Sequence, residues 1–306
     1  FIDRIIIFDA AGRIIGNGPK HMVFTQHKED LQRFGIWYPE VWDDYLRARP
    51  SRVGSLPPQA DAMPVVELRD FLALRGRKPI ISFAECKLQA AEWVTIVGEN
   101  GAGKSTLLLG LMQLIRTSGH YTINAMPVSE IRNLSDIIAF VFQNPEFQFV
   151  TNRTWDEIAY SLQSDDRSNQ KITSIVNRLL DEFDLRAQQH LHPYGLSMGQ
   201  KRRLSVASAV VKEQPILLLD EPTFGQDARN TFAILEKLEA WRERGTTVIM
   251  VTHDMRIVEH YATQVWHVKD GSVNVYPDPA TYLATHANSA GTAADEAASG
   301  KELMVR

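Results

Sequence analysis

Cysteine is almost absent. Cys86 stands alone in 306 residues, which excludes an internal disulfide framework and fits a reducing compartment. No run approaches the roughly 18 apolar residues that a membrane-crossing helix needs. There is no basic excess either. The 33 Lys and Arg face 37 Asp and Glu, a net charge of −4, so phosphate neutralisation alone gives no grip on nucleic acid. Nor do the first residues read as a signal peptide: Phe1 leads into strand-like Ile5-Ile6-Ile7. What is present, 44% hydrophobic and 23% charged residues, is ordinary globular composition. The expectation is a soluble, cytosolic chain cut from something longer.

Ile5-Ile6-Ile7-Phe8 reads as a buried strand, Ala11-Gly12 as a turn and Arg13-Ile14-Ile15 as its hairpin partner. Residues 31–64 read as a linker, with Trp37, Tyr38, Trp42 and Tyr45 in its first half and four prolines at 50–64. From 65 to 287 the pattern is continuous and globular. Residues 288–306 are small, polar and aperiodic, and disorder is expected there. IDRIIIFDAAGRIIGNGPKHMVF at 2–24 echoes ATQVWHVKDGSVNVYPDPATYL at 262–283: strand, Gly turn, strand, Pro, short helix. Residues 1–30 are therefore expected to be the end of a preceding, duplicated domain.

Three strings carry chemistry. Val94-Thr95-Ile96-Val97 reads as a strand running into Gly98-Glu99-Asn100-Gly101-Ala102-Gly103-Lys104-Ser105-Thr106, with an apolar helix after it. Glycines let backbone N–H groups converge, and the helix N-terminus adds partial positive charge where phosphates sit. Lys104 is placed to reach the outer phosphates and the Ser105 hydroxyl to ligate Mg²⁺. Pro215 to Leu219 is the apolar run of a doubly buried strand, with Asp220 at its C-terminal end, where open α/β sheets bind ligands. Asp220 can hold Mg²⁺, and Glu221 can orient or deprotonate a water. Leu196-Ser197-Met198-Gly199-Gln200 precedes an apolar-periodic helix, a second anion-binding N-terminus.

In that order, Gly98–Thr106, Leu196–Gln200 and Leu217–Glu221 resemble the nucleotide-binding domain of ABC-type ATPases over about 65–287. The resemblance implies an α/β P-loop fold with a mixed sheet and a helical subdomain inserted at about 145–195. It implies ATP and Mg²⁺ as ligands. Ser197, Gly199 and Gln200 form the signature that closes over nucleotide held by a second ABC ATPase domain. Gln143 matches the Q-loop glutamine that approaches Mg²⁺ and faces the transmembrane partner, Asp227 the D-loop aspartate, and His253 the switch histidine near the γ-phosphate. Two positions depart from the family pattern. Met198 replaces the usual glycine, and the adenine-stacking aromatic is missing, with Leu74 or Arg75 near its place.

Phe142-Gln143-Asn144-Pro145-Glu146-Phe147-Gln148-Phe149, followed by Asp156-Glu157 and Ile158-Ala159-Tyr160, resembles energy-coupling-factor importer ATPases. In that group this segment docks a coupling helix of the membrane subunit, and some members fuse two ATPase domains. The chain then reads as the C-terminal half of a fused ATPase. It would sit at the cytoplasmic face of the plasma membrane, bound to a transmembrane permease subunit and a substrate-binding membrane subunit, without nucleic acid. A vitamin, vitamin precursor or metal ion would be imported, with HMP/thiamine preferred. A DNA-repair or translation ABC ATPase is the alternative.

Overall fold

The structure, a computed structural model, describes residues 3–9, 11–49, 63–163 and 167–286. Most of the proline-rich stretch at 50–64 and the tail at 288–306 lie outside them. In chain order the elements begin with β1 (Arg4–Phe8), β2 (Ile14–Pro19), α1 (Lys20–Gln26), α2 (Lys28–Phe34) and α3 (Val41–Ala48). There follow β3 (Val66–Arg75), β4 (Lys78–Leu88), β5 (Trp93–Val97), α4 (Lys104–Leu111), β6 (Thr117–Ile123), β7 (Met126–Pro127) and β8 (Ile138–Val141). Then come α5 (Thr154–Ala159), α6 (Asn169–Glu182), α7 (Met198–Ala209), β9 (Ile216–Asp220), α8 (Ala228–Glu243), β10 (Thr247–Val251), α9 (Met255–Tyr261), β11 (Gln264–Lys269) and β12 (Ser272–Tyr276). Residues 279–286 are helical. The chain divides into two units, Phe1–Pro57 with Thr223–Leu238, and Pro58–Pro222 with Glu239–Arg306.

The larger unit is built on one sheet, ordered β7-β6-β3-β4-β12-β11-β5-β10-β9-β8. β8, β9, β10, β5 and β11 run parallel, and β3, β4, β6 and β7 antiparallel. Every residue of β5, β9 and β10 is buried, as strands covered on both faces must be. Phe71, Phe83, Leu107, Leu108 and Trp266 belong to the core around them. Between 145 and 195 the described elements are α5, α6 and short 3₁₀ turns with no strand, so the inserted segment is helical as expected. α6 opens on Ser168, which caps Lys171 N–H, and buries Ile172, Val176, Leu179 and Leu180 at helical spacing.

The smaller unit corrects two expectations. β1 and β2 pair antiparallel from Arg4↔Pro19 to Phe8↔Ile14 as their own two-stranded sheet. Only Ile7 of the apolar run is buried, while Ile6 and Phe8 are exposed, because one face of this sheet is uncovered by the unit itself. Residues 31–49 are not linker: they hold most of α2 and all of α3. α3 buries Val41 and Trp42, and Trp42 and Tyr45 meet Phe232 of α8, the Tyr45 ring stacked at 3.9 Å. Burial of that aromatic area is what makes helices here and not an extended tether. The two echoed stretches share their element order. Gly12 (φ 77°) and Gly271 (φ 75°) turn β1–β2 and β11–β12, and a helical segment follows each hairpin.

Candidate active site

β5, β10 and β9 are adjacent parallel strands, and their C-terminal ends gather the chemistry. From β5 the chain turns through Gly98 at φ 146°. A Cβ there would lie 2.3 Å from the Val268 carbonyl oxygen of β11, so only glycine fits. Gly103 (φ 107°) holds a backbone conformation that side-chain-bearing residues rarely adopt, and a notional Cβ there would press on the end of the Ile81 side chain, 2.5 Å from Cδ1. Between them the loop wraps around Lys104. Its buried Nζ donates to the Gly98 and Glu99 carbonyls at 2.9 Å each, which aims the ammonium into the loop. Burial lowers the Lys104 pKa, while Glu221 and Asp220 oppose that shift.

Asp220 ends β9 and is buried. Burial raises its pKa, opposed by a hydrogen bond from the Ser105 hydroxyl and by the charges of Lys104 and Arg202. A hydroxyl and a carboxylate in direct contact beside a phosphate-type loop are the hard oxygen donors that Mg²⁺ takes, usually with substrate phosphates and water completing the shell. Glu221 follows at φ 50°, an unfavourable conformation for a residue with a side chain. Its N–H donates to Val251 O of β10 at 3.2 Å. His253, two residues beyond β10, brings Nε2 to 3.1 Å from Glu221 Oε1.

Lys104, Ser105, Asp220, Glu221 and His253 are thus brought together, with Gly98–Gly103 forming the loop beside them and Thr106 in the first turn of α4. The other expected residues are placed differently. Ser197 is the N-cap of α7 in a reciprocal capping box. Gln200 N–H donates to Ser197 Oγ at 3.3 Å, and Ser197 N–H to Gln200 Oε1 at 2.9 Å. Among the described residues no hydrogen bond joins Ser197, Gly199 or Gln200 to the Lys104 loop. Met198 is exposed, its side chain off the core. Asp227 belongs to the smaller unit, where its carboxylate accepts from Asn230 N–H and Nδ2. Phe71 is fully buried against Tyr121, so it is no platform for a base, and Arg75 is exposed at the end of β3.

The Gln143 side chain is exposed, but its main chain is held by a residue whose role sequence reasoning missed. Arg202 of α7, 3% exposed, donates to Phe142 O at 2.8 Å and to Gln143 O. Burial pulls its pKa down, and Asp220 and Glu221 pull the other way. Neighbouring contacts repeat the clamp: Lys201 Nζ lies 2.6 Å from Glu146, and Gln148 Nε2 donates to Ser205 O and Ser208 Oγ. One helix therefore carries the signature string at its start and grips the Gln143–Gln148 segment along its side. Beyond it lies a groove of about 730 Å³ lined by Phe142, Gln148, Val150, Tyr160 and Leu114. Glu157, buried, fixes one wall by accepting from Val150 N–H, Thr151 N–H and Thr151 Oγ1. Glu157→Ala is expected to lower stability by about 1.5–3 kcal/mol, since the Val150 and Thr151 N–H groups and the Thr151 hydroxyl lose a charged acceptor that is itself buried. Chemical denaturation measures it, and an unchanged midpoint would refute this role.

A phosphate-type loop, a strand-end Asp-Glu pair and a histidine two residues beyond the intervening strand sit on the fold of an ABC-type P-loop domain. More particularly, the chain matches the family model described as ABC transporter over residues 82–224. It is 33% identical over 300 residues to a Bacillus subtilis protein named as HMP/thiamine import ATP-binding protein YkoD, covering 92% of this chain and 54% of that one. It is 31% identical over 249 residues to the energy-coupling factor transporter ATP-binding protein EcfA2 of Methanospirillum hungatei, covering 79% and 59%. Among solved structures, cbiO1 of Clostridium perfringens, part of the ABC transporter complex cbiONQ, superposes with a TM-score of 0.64. The identity is 26%, over 73% of this chain and 92% of that one. The chain spans a little over half the length of the two relatives just named. Among the described residues no helix is long and apolar enough to cross a membrane.

Proposed function

We propose that the chain hydrolyses Mg-ATP to drive import through a membrane partner, as an energy-coupling-factor type ATPase. The observation that carries this is the set Lys104, Ser105, Asp220, Glu221 and His253 at three adjacent strand ends, in a chain that also holds the Leu196–Gln200 signature. Lys104 and the loop N–H groups bind the phosphates. Ser105 and Asp220 would hold Mg²⁺, with Gln143 joining them, and the ion supplies charge neutralisation at the phosphates. Glu221 orients and deprotonates the attacking water, and His253 holds Glu221 and meets the γ-phosphate. Ser197, Gly199, Gln200 and Asp227 act at the nucleotide of a second ABC ATPase domain. Leu74 or Arg75 stands near the place of the usual adenine-stacking ring, and an arginine can lie flat on a base.

The partner is a transmembrane permease subunit docked on the groove beside Phe142–Phe149, with a substrate-binding membrane subunit beyond it. This puts the chain peripherally at the cytoplasmic face of the plasma membrane. The fused two-domain arrangement, with residues 1–30 as the end of a first copy, draws on the shared order of the two hairpins. HMP/thiamine is the preferred cargo, on the QNPEFQF string and the similarity to YkoD. A repair or translation ATPase is the rival reading. Co-purification of the full-length gene product separates them: a permease subunit is expected, and nucleic acid or ribosomal proteins in its place would overturn import. For the site itself, Lys104→Ala is expected to weaken Mg-ATP binding about ten- to a hundredfold, the size of one charge-assisted contact. Equal affinity by titration would mean that the phosphates lie elsewhere.

A further inference from the structure

The stretch Gln226–Arg229 is gripped by residues far upstream, outside the segment that matches the family model. Trp37 Nε1–H donates to Gln226 O at 2.8 Å. Ala228 N–H donates to Gly35 O at 2.9 Å. The Arg229 guanidinium donates to Arg33 O. Residues 33, 35 and 37 thus meet 229, 228 and 226 in antiparallel order, and every one of these bonds uses a main-chain group of one partner.

The fit is built, not incidental. Gly35 ends α2 in the left-handed conformation (φ 70°), and a Cβ there would lie 2.6 Å from Arg229 Cβ. The rings of Trp37, Trp42 and Tyr45 surround Phe232, one turn further along α8. Gln226 adds a sign of tension. Its side chain is 7% exposed, and neither Nε2 nor Oε1 finds a partner among the described residues. A buried, unpaired amide is unfavourable. The bond from Trp37 Nε1–H and the bond accepted by Gly35 O therefore hold the main chain of a loop whose own Gln226 side chain contributes no hydrogen bond among the described residues.

We propose that residues 28–48 are a strap that fixes the main chain around Asp227, with Trp37 and Gly35 as positioning residues for ATP hydrolysis. This rests on the ATPase reading above. Only Pro222–Gln226 separates Asp227 from Glu221, so a shift of this loop is passed along the chain to the water-activating carboxylate. The phosphate loop stands on another strand end, so nucleotide affinity should not follow.

The test uses the full chain. Trp37→Phe keeps a ring against Phe232 and deletes the N–H donor, and Gly35→Ala pushes a methyl against Arg229. Amide hydrogen exchange without nucleotide should quicken about tenfold at 226–230 in both variants, the equivalent of one lost hydrogen bond. Mg-ATP turnover should fall several-fold while the Kd for Mg-ATP stays at the wild-type value. Wild-type exchange at 226–230 would overturn the strap, as would turnover and affinity falling together. Should Gly35→Ala not fold, Trp37→Phe decides alone. A wild-type chain that binds ATP without hydrolysing it would overturn the ATPase reading and the strap's part in hydrolysis. Exchange would still report whether the strap holds the loop.

Discussion

Glu221→Gln is expected to stop ATP turnover while leaving ATP bound. The substitution keeps the volume and the contact with His253 Nε2, which lies 3.1 Å from Oε1. It removes the negative charge of the carboxylate and with it the ability to take a proton from water. Loss of a positioned general base costs about two to four orders of magnitude in rate. Binding, which we propose rests on Lys104 and the glycine loop, should persist, so an ATP-bound dimer should accumulate. The backbone supports the assignment. Glu221 holds φ 50°, a conformation that costs roughly 1–3 kcal/mol and survives where its surroundings enforce it, here through the bond from its N–H to Val251 O. Phosphate release and nucleotide retention on gel filtration read the two effects. Turnover at the wild-type rate would remove Glu221 as the base and leave His253 as the candidate.

Much of this site was legible in the sequence because its parts are local. The loop Gly98–Thr106 needs glycine where a Cβ would strike Val268 O or Ile81, and those demands print directly as residue types. The all-apolar runs of β5, β9 and β10 likewise announce strands covered on both faces. Arg202 was not legible. An arginine on a helix looks like a solvated charge, and its partners Phe142 O and Gln143 O are carbonyls that any residue supplies. The aromatic residues at 37–45 misled for a related reason. Their partners, Gln226 and Phe232, lie some 190 residues away, so no local periodicity marks them as helical and packed. The Ile5–Phe8 run misled the other way, since alternation says which face could be buried and not whether anything covers it.

Mixing two dead variants is expected to restore ATP turnover. Ser197 and Gln200 cap α7, and among the described residues no hydrogen bond joins them to the Lys104 loop, so under the proposed function a second copy completes the Lys104 site. In a head-to-tail pair each nucleotide would meet the Lys104 loop of one copy and the Ser197 end of the other. The specific activity of the chain alone should then rise with concentration, because a homodimer must form first. Ser197→Arg places a bulky cation where the signature must close and should abolish turnover, as should Lys104→Ala. Combined one to one, half the dimers are mixed, and each mixed dimer holds one site with both Lys104 and Ser197 intact. Activity should therefore recover to about a quarter of wild type. A mixture as inactive as its components, or a wild-type activity flat across a wide dilution series with a monomer by light scattering in Mg-ATP, would sink the shared site. Recovery near one quarter is hard to obtain otherwise, since a site contained within one copy stays dead in both variants however they are combined.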